Sequence, residues 1–398
     1  MLVLHDVTLV DGTRADVTVE DGTIAAVAAP GAAPPPPGAT VVDLAGHVLL
    51  TAAVEPHAHL DKAFLAERVH NPTGDLLGAI EAMVAARPTL TVEDTVERAE
   101  RAARLMAANG FTAVRTHADT TLDQGLRSVE ALVEVRRRVA DVIDVEVVAL
   151  TGWPVVGPEG DACKGLLRDA LAAGADVVGG CPHLDVATRP ATEVYLEIAA
   201  EFGVAVDLHT DETLDPRIAG LADLADLVLR TGFPHPVTAS HCVSLGMQPL
   251  DQQRATAEKV AEAGISVITL PATNLYLQGR EHAQATPRGL TAVKVLREAG
   301  VNVAAGGDNL QDPFNPMGRA CPFETAALSV LAAHLQPNEA WAAVTTCAAA
   351  ATARPARSIA PGEPADLIAV TAGSVREAIA TGAPRRRVWR RGVELTAG

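Results

Sequence analysis

The chain has 398 residues, 48% of them apolar, and carries 32 basic against 49 acidic side chains, a net charge of −17. That apolar content supports a sizeable core and excludes intrinsic disorder, while the acidic balance leaves no electrostatic reason to bind nucleic acid or an anionic membrane surface. No run of 18 apolar residues occurs, and the N-terminus has neither a basic nor an apolar leader region, so no membrane span and no signal peptide are expected.

The first ~50 residues alternate apolar and polar positions around Asp11–Gly12 and Asp21–Gly22, a pattern that predicts short antiparallel strands. Pro34 to Pro37 reads as an exposed loop. From about 50 to 350 the texture changes. Five times an alanine-rich helical stretch ends at a glycine and a β-branched run follows, at Gly110, Gly174, Gly203, Gly264 and Gly300. Glycine suits the left-handed residue after a helix, and continuous Val/Ile runs suit buried parallel strands. HVLLTAAVEPH, VIDVEVVALTG and HPVTASHC add three more strands, for a total of eight. That number closes a (β/α)8 TIM barrel. An open doubly wound sheet is the weaker reading, because no GxGxxG follows the first strand. The last ~40 residues return to short strands in ADLIAV and RRRVWRRGVEL. Neither terminal segment can hold a core alone, so 1–50 and 355–398 are expected to pair as one small β-sandwich beside a barrel over 51–354. The five cysteines are odd in number and form no CxxC, which fits a reducing, cytoplasmic setting without disulfides or a structural zinc site.

In such barrels chemistry sits at the C-terminal ends of the strands. Half of the twelve histidines fall there: His57 and His59 after strand one, His117 after two, His183 after four, His209 after five and His241 after six. Asp308 and Asn309 follow strand eight. His57 and His59 are two apart on an extended segment and share a face. Joined by His209 and Asp308, they make a three-imidazole, one-carboxylate set suited to Zn2+ or Fe2+ with a position left for water. Glu212, three residues after His209, can move protons over the open face or merely start the next helix. His241 can be a further ligand or a partner of the bound water. His117 and His183 have a bland reading as supports bonded to backbone, Asp61 and Lys62 as a loop ion pair, and Cys242 as an inert buried thiol.

DLAGHVLLTAAVEPHAHLDKAF resembles the opening of the amidohydrolase superfamily. EPHAHLD, VRTHAD, GADVVGGCPH, HTDE, VTASH, LQGR (Leu277 to Arg280) and DNLQDPFNPMG, in this order over about 55–318, resemble its cytosine deaminase branch. The terminal strands are similar to that superfamily's composite sandwich. The resemblance implies one divalent metal on His57, His59, His209 and Asp308. It implies Glu212 as the acid that protonates a ring nitrogen, His241 as the residue orienting the attacking water, and Asp308 as acceptor of its proton. A metal makes hydroxide available near neutrality; hydroxide adds to an amidine-like carbon and ammonia leaves. Positions that meet the substrate depart from the branch. A second aspartate becomes Asn309, a strand-three glutamine gives way to Leu150, Thr151, Gly152 and Trp153, and a tryptophan becomes Phe314. Asn309, Phe314, Thr151, Gly152, Trp153 and Lys62 are the expected substrate contacts. The Asp-Asn and DPFNP pattern resembles relatives acting on small amino-substituted heterocycles other than cytosine, triazine-type aminohydrolases included. A cyclic-amide hydrolase of the same superfamily is the alternative; those usually carry a strand-four lysine, and residues 174–183 contain none. Homo-oligomerisation is left open by the sequence.

Overall fold

The computed structural model describes residues 1–395. Five strands open the chain: β1 (Leu2–Thr8), β2 (Arg14–Glu20), β3 (Thr23–Ala28), β4 (Thr40–Asp43) and β5 (His47–Thr51). Asp21 and Gly22 form the two-residue link between β2 and β3, both with positive φ (48° and 81°), the geometry that matches strand twist in a tight hairpin. Three strands close the chain: β14 (Leu367–Thr371), β15 (Arg386–Arg390) and β16 (Val393–Leu395). Antiparallel pairing of β14 with β5 stitches the two ends into one sheet of order β16-β15-β14-β5-β1-β2-β3, with β4 on β1. The sheet curls round its own filling, which includes Leu4, Val17, Ile24, Leu49, Leu367 and Trp389.

The barrel takes β6 (Ala53–Ala58), β7 (Phe111–Thr120), β8 (Asp144–Thr151), β9 (Val177–Gly180), β10 (Ala205–Thr210), β11 (Val237–His241), β12 (Ser266–Thr269) and β13 (Val303–Ala305). Each runs parallel to the next in chain order. A parallel bridge between Ala58 and Asp308 brings the last strand end back to the first. All five glycines expected to stop helices have left-handed backbone, with φ between 66° and 110°.

One expected strand divides. HVLLTAAVEPH is two strands, β5 in the chain-end sheet and β6 in the barrel, with Ala52 between them. The apolar run continues through the join because β5 is covered on both faces: Leu49 enters the chain-end core, whereas Val48 and Leu50 enter the barrel's outer core. Continuous burial erases the alternation that would have marked the break.

Two helices, α1 (Leu76–Ala86) and α2 (Val92–Asn109), separate β6 from β7. The Asp75 carboxylate accepts from the Gly78 N–H at 2.8 Å and starts α1. A Cβ on Gly78 would lie 2.0 Å from Thr73 Oγ1, so the preceding loop folds back tightly on the helix start. Met83 anchors α1 against Leu65, Val69 and Leu90.

Candidate active site

The strand ends bring His57, His59, His209, His241 and Asp308 to one point at the barrel mouth. His59 Nε2 lies 3.3 Å and His57 Nε2 3.6 Å from Asp308 Oδ1, and His59 Nε2 lies 3.2 Å from His209 Nε2. Those spacings match the edges of a tetrahedron, roughly 3.4 Å long, that ~2.0–2.1 Å bonds to a central ion would produce. His57 Nε2 and both Asp308 oxygens are buried with no hydrogen-bond partner among the described residues. Orphaned lone pairs that converge in this way are what a divalent cation satisfies. His241 and Asp308 both hold φ near 65°, a left-handed backbone that costs a non-glycine residue about 1–2 kcal/mol. The rest of the fold maintains that strain at the mouth.

Behind the ligands runs a buried line of hydrogen bonds. Asp207 accepts from Ser240 Oγ at 3.0 Å, so the hydroxyl's one proton is committed and its oxygen accepts from His57 Nδ1 at 2.9 Å. The proton on Nδ1 leaves the Nε2 lone pair free for an ion. Arg115, itself buried, donates to Asp207 at 3.0 Å and to Glu146 at 2.6 Å. It is the counter-charge that lets Asp207 sit in the barrel interior.

Glu212 faces the same point. Burial first, and then the Asp308 charge, push its carboxyl well above the usual range, which favours its protonated form. Its Oε1 lies 3.4 Å from His241 Nδ1 and has no hydrogen-bond partner. Burial lowers the His241 imidazole to about 4, against the opposing Asp308 charge. As its amide is oriented, Asn274 donates to His241 Nδ1 at 3.1 Å, which fixes the neutral ring with its proton on Nε2. Asp308 is held below the usual carboxylate range: burial opposes its charge, but the imidazoles of His59 and His241 beside it outweigh that. Lys62 Nζ lies 2.6 Å from Asp119 and 3.1 Å from His59 Nδ1. Burial works against its charge, and Asp119 and Asp61 more than restore it.

The sequence model of an amidohydrolase family matches residues 63–396. The chain belongs to the amidohydrolase family. A pterin deaminase from Rhizobium rhizogenes strain K84 is 34% identical over 385 residues, 95% of this amidohydrolase and 87% of that protein. The crystal structure of 5-methylcytosine deaminase from Klebsiella pneumoniae liganded with phosphonocytosine superposes with a TM-score of 0.90 at 29% identity, covering 99% and 98% of the two chains. That of N-isopropylammelide isopropylaminohydrolase from Burkholderia multivorans gives 0.85 at 28% identity, covering 99% and 97%. These relatives put the amidohydrolase on the deaminase branch: a metal-dependent hydrolase of C–N bonds in small heterocycles. Its family binds a divalent metal, and the donor set described above fits one.

One cavity of the amidohydrolase is lined by His59, Lys62, Thr151, Gly152, Trp153, His209, Glu212, His241, Asp308, Asn309 and Phe314. His57 is fully buried behind it. Glu212 does not start a helix; that task falls to Asp211, whose carboxylate accepts from Gly220 and Leu221 N–H at the head of the next helix. Asn309 lines the cavity, yet its amide donates to Asp312 at 2.8 Å and its oxygen accepts from Thr273 at 3.4 Å. One donor and one acceptor position of the amide are therefore committed to neighbouring side chains, and one of each remains. His183 donates to the His209 carbonyl at 3.2 Å, and His117 packs on the His57 ring at 4.1 Å, so both support the ligands. Burial raises the Cys242 thiol well above its usual range, which keeps it inert. Sequence reasoning missed Leu76, Ile80, Arg87 and Asp119 on the cavity wall, and Ser240, Asp207 and Asn274 behind it. Leu76, Ile80 and Met83, spaced i, i+4, i+7 after the Asp75 cap, were the available signal for α1.

Proposed function

We propose that the protein is an aminohydrolase that removes an amino group from a small nitrogen heterocycle other than cytosine, using a single Zn2+ or Fe2+ held by His57, His59, His209 and Asp308. The observation that carries this reading is the buried Glu212 carboxyl, its Oε1 without a hydrogen-bond partner, facing the buried Asp308 among the convergent imidazoles, with burial pushing Glu212 up while its neighbours hold Asp308 down. Two carboxyl groups pushed in opposite directions form a matched acid and base. A divalent ion, when bound, lowers the pKa of water toward neutrality. Asp308 accepts the proton that water loses. His241 Nε2–H donates to the attacking oxygen and orients it. Glu212 gives its proton to the ring nitrogen next to the amidine-like carbon, which makes that carbon electrophilic. Hydroxide adds to that carbon; Asp308 passes the proton it took to the exocyclic nitrogen, the exocyclic C–N bond breaks with its electrons leaving on that nitrogen as ammonia, and the new hydroxyl returns its proton to Glu212, so the ring keeps a carbonyl. Leu150, Thr151, Gly152 and Trp153 at the β8 end, and Phe314, support a substrate edge different from that of cytosine. A screen of amino-pyrimidines, pterins, purines, triazines and creatinine-like rings tests the proposal by ammonia release. Ring opening without ammonia, or efficient turnover of cytosine above every other ring, overturns it.

A further inference from the structure

The cavity has two chemically distinct ends. At its floor are the convergent donors and Glu212. The less buried part of its wall is made by Leu76 and Ile80 from α1, Leu150 and Trp153 from the β8 end, Leu184 after β9 and Phe314 after β13. None of these six is buried, and Trp153 is 41% exposed. Six large apolar side chains drawn from four separate segments and left open over a reaction site form a surface to be covered. The cations on the wall have no charge to spare. Lys62 is paired with Asp119, and Arg87 donates to both Asp123 oxygens at 3.0 Å and to Asp119 at 3.3 Å. Two cations face Asp61, Asp119 and Asp123, so an anionic substituent would meet no uncompensated positive charge.

We infer that the substrate is an uncharged amino-heterocycle carrying an apolar substituent remote from the departing amine, and that Ile80 of α1 is a residue that sets this preference. The inference rests on the aminohydrolase reading for the reacting end and adds the chemistry of the other end. With Met83 anchoring α1, the helix presents Leu76 and Ile80 as a fixed wall, so recognition of the substituent needs no folding step. Each carbon buried there strengthens binding by about fourfold, whereas a carboxylate is desolvated without a partner and is rejected.

The test uses the metal-replete enzyme and two matched series, on pterin and on cytosine, each as the bare ring and as its methyl, isopropyl and carboxylate derivatives. Equilibrium binding is measured on Glu212→Gln and kcat/KM on the wild type. Affinity is expected to rise from bare ring to methyl to isopropyl, by about fourfold for the first carbon, with the carboxylate weakest in each series. Ile80→Ser is expected to cut the isopropyl-over-bare ratio by about tenfold, and Ile80→Val by no more than about fourfold. A flat series, tightest binding by the carboxylates, no binding by any alkyl form, or a ratio untouched in Ile80→Ser overturns the inference. If the binding order holds and no ammonia is released, the inference stands and the aminohydrolase proposal falls.

Discussion

Ser240→Ala isolates the hydrogen-bond line behind the proposed metal ligands. The hydroxyl accepts from His57 Nδ1 at 2.9 Å and donates to Asp207 at 3.0 Å, and all three side chains are completely buried. Alanine removes both bonds and leaves one donor and one acceptor without water. Asp207 keeps Arg115, so the larger loss falls on His57. Two net hydrogen bonds and partial desolvation of their partners amount to about 2–4 kcal/mol of stability. The imidazole also loses the bond that fixes its tautomer, and second-shell losses of this kind lower metal affinity by about 10–100-fold, or roughly 1.4–2.7 kcal/mol. Thermal unfolding of metal-free protein reads the first quantity, and competition against a chromophoric chelator reads the second. Affinity within about twofold of wild type, in a variant that is folded and destabilised, would refute the idea that Ser240 orients a ligand.

Three further outcomes follow from the same geometry. Glu212→Gln should retain metal and fold yet lose about 10²–10⁴-fold in kcat; turnover near the wild-type rate removes Glu212 from the mechanism. Elemental analysis of metal-replete enzyme should give about one divalent ion per chain, as a three-histidine, one-carboxylate set requires; a second equivalent needed for activity revives the cyclic-amide alternative. Asn309→Asp should set two carboxyls against each other where the amide now donates to Asp312 at 2.8 Å. Burial already raises Asp312 to about 6, despite the Asn309 hydrogen bond. In the variant the second carboxyl pushes the pair's shared proton higher still; at low pH one carboxyl donates to the other, and the cost of holding that proton, or of ionising both, grows as pH rises above the unfolded carboxylate range. The loss in melting temperature should therefore be larger at pH 8 than at pH 5, and an equal loss at both would show that the pair does not share a proton.

The strand count, the glycine helix stops and the strand-end histidines were legible in the sequence because each is a local pattern. A β-branched run after a left-handed glycine needs no knowledge of distant residues, and neither does an HxH on an extended segment. The limit shows at β5 and β6, where burial on both faces removes the alternation that would mark two sheets. It shows again at Asn309: its place beside Asp308 was evident, but its commitment to Asp312 and Thr273 depends on how the loop after β13 closes. Ser240, Asp207 and Arg115 come from three different strands, and His57 lies 183 residues from the serine it donates to. No periodicity links them. The spacing of Leu76, Ile80 and Met83 implied a helix but not that it would roof the cavity. Sequence by itself therefore determined the barrel's strand succession and the histidines at its strand ends. Only the closed barrel decided which protons those donors carry and which side chains the substrate meets, because both depend on contacts between residues that meet only when the strands are brought together.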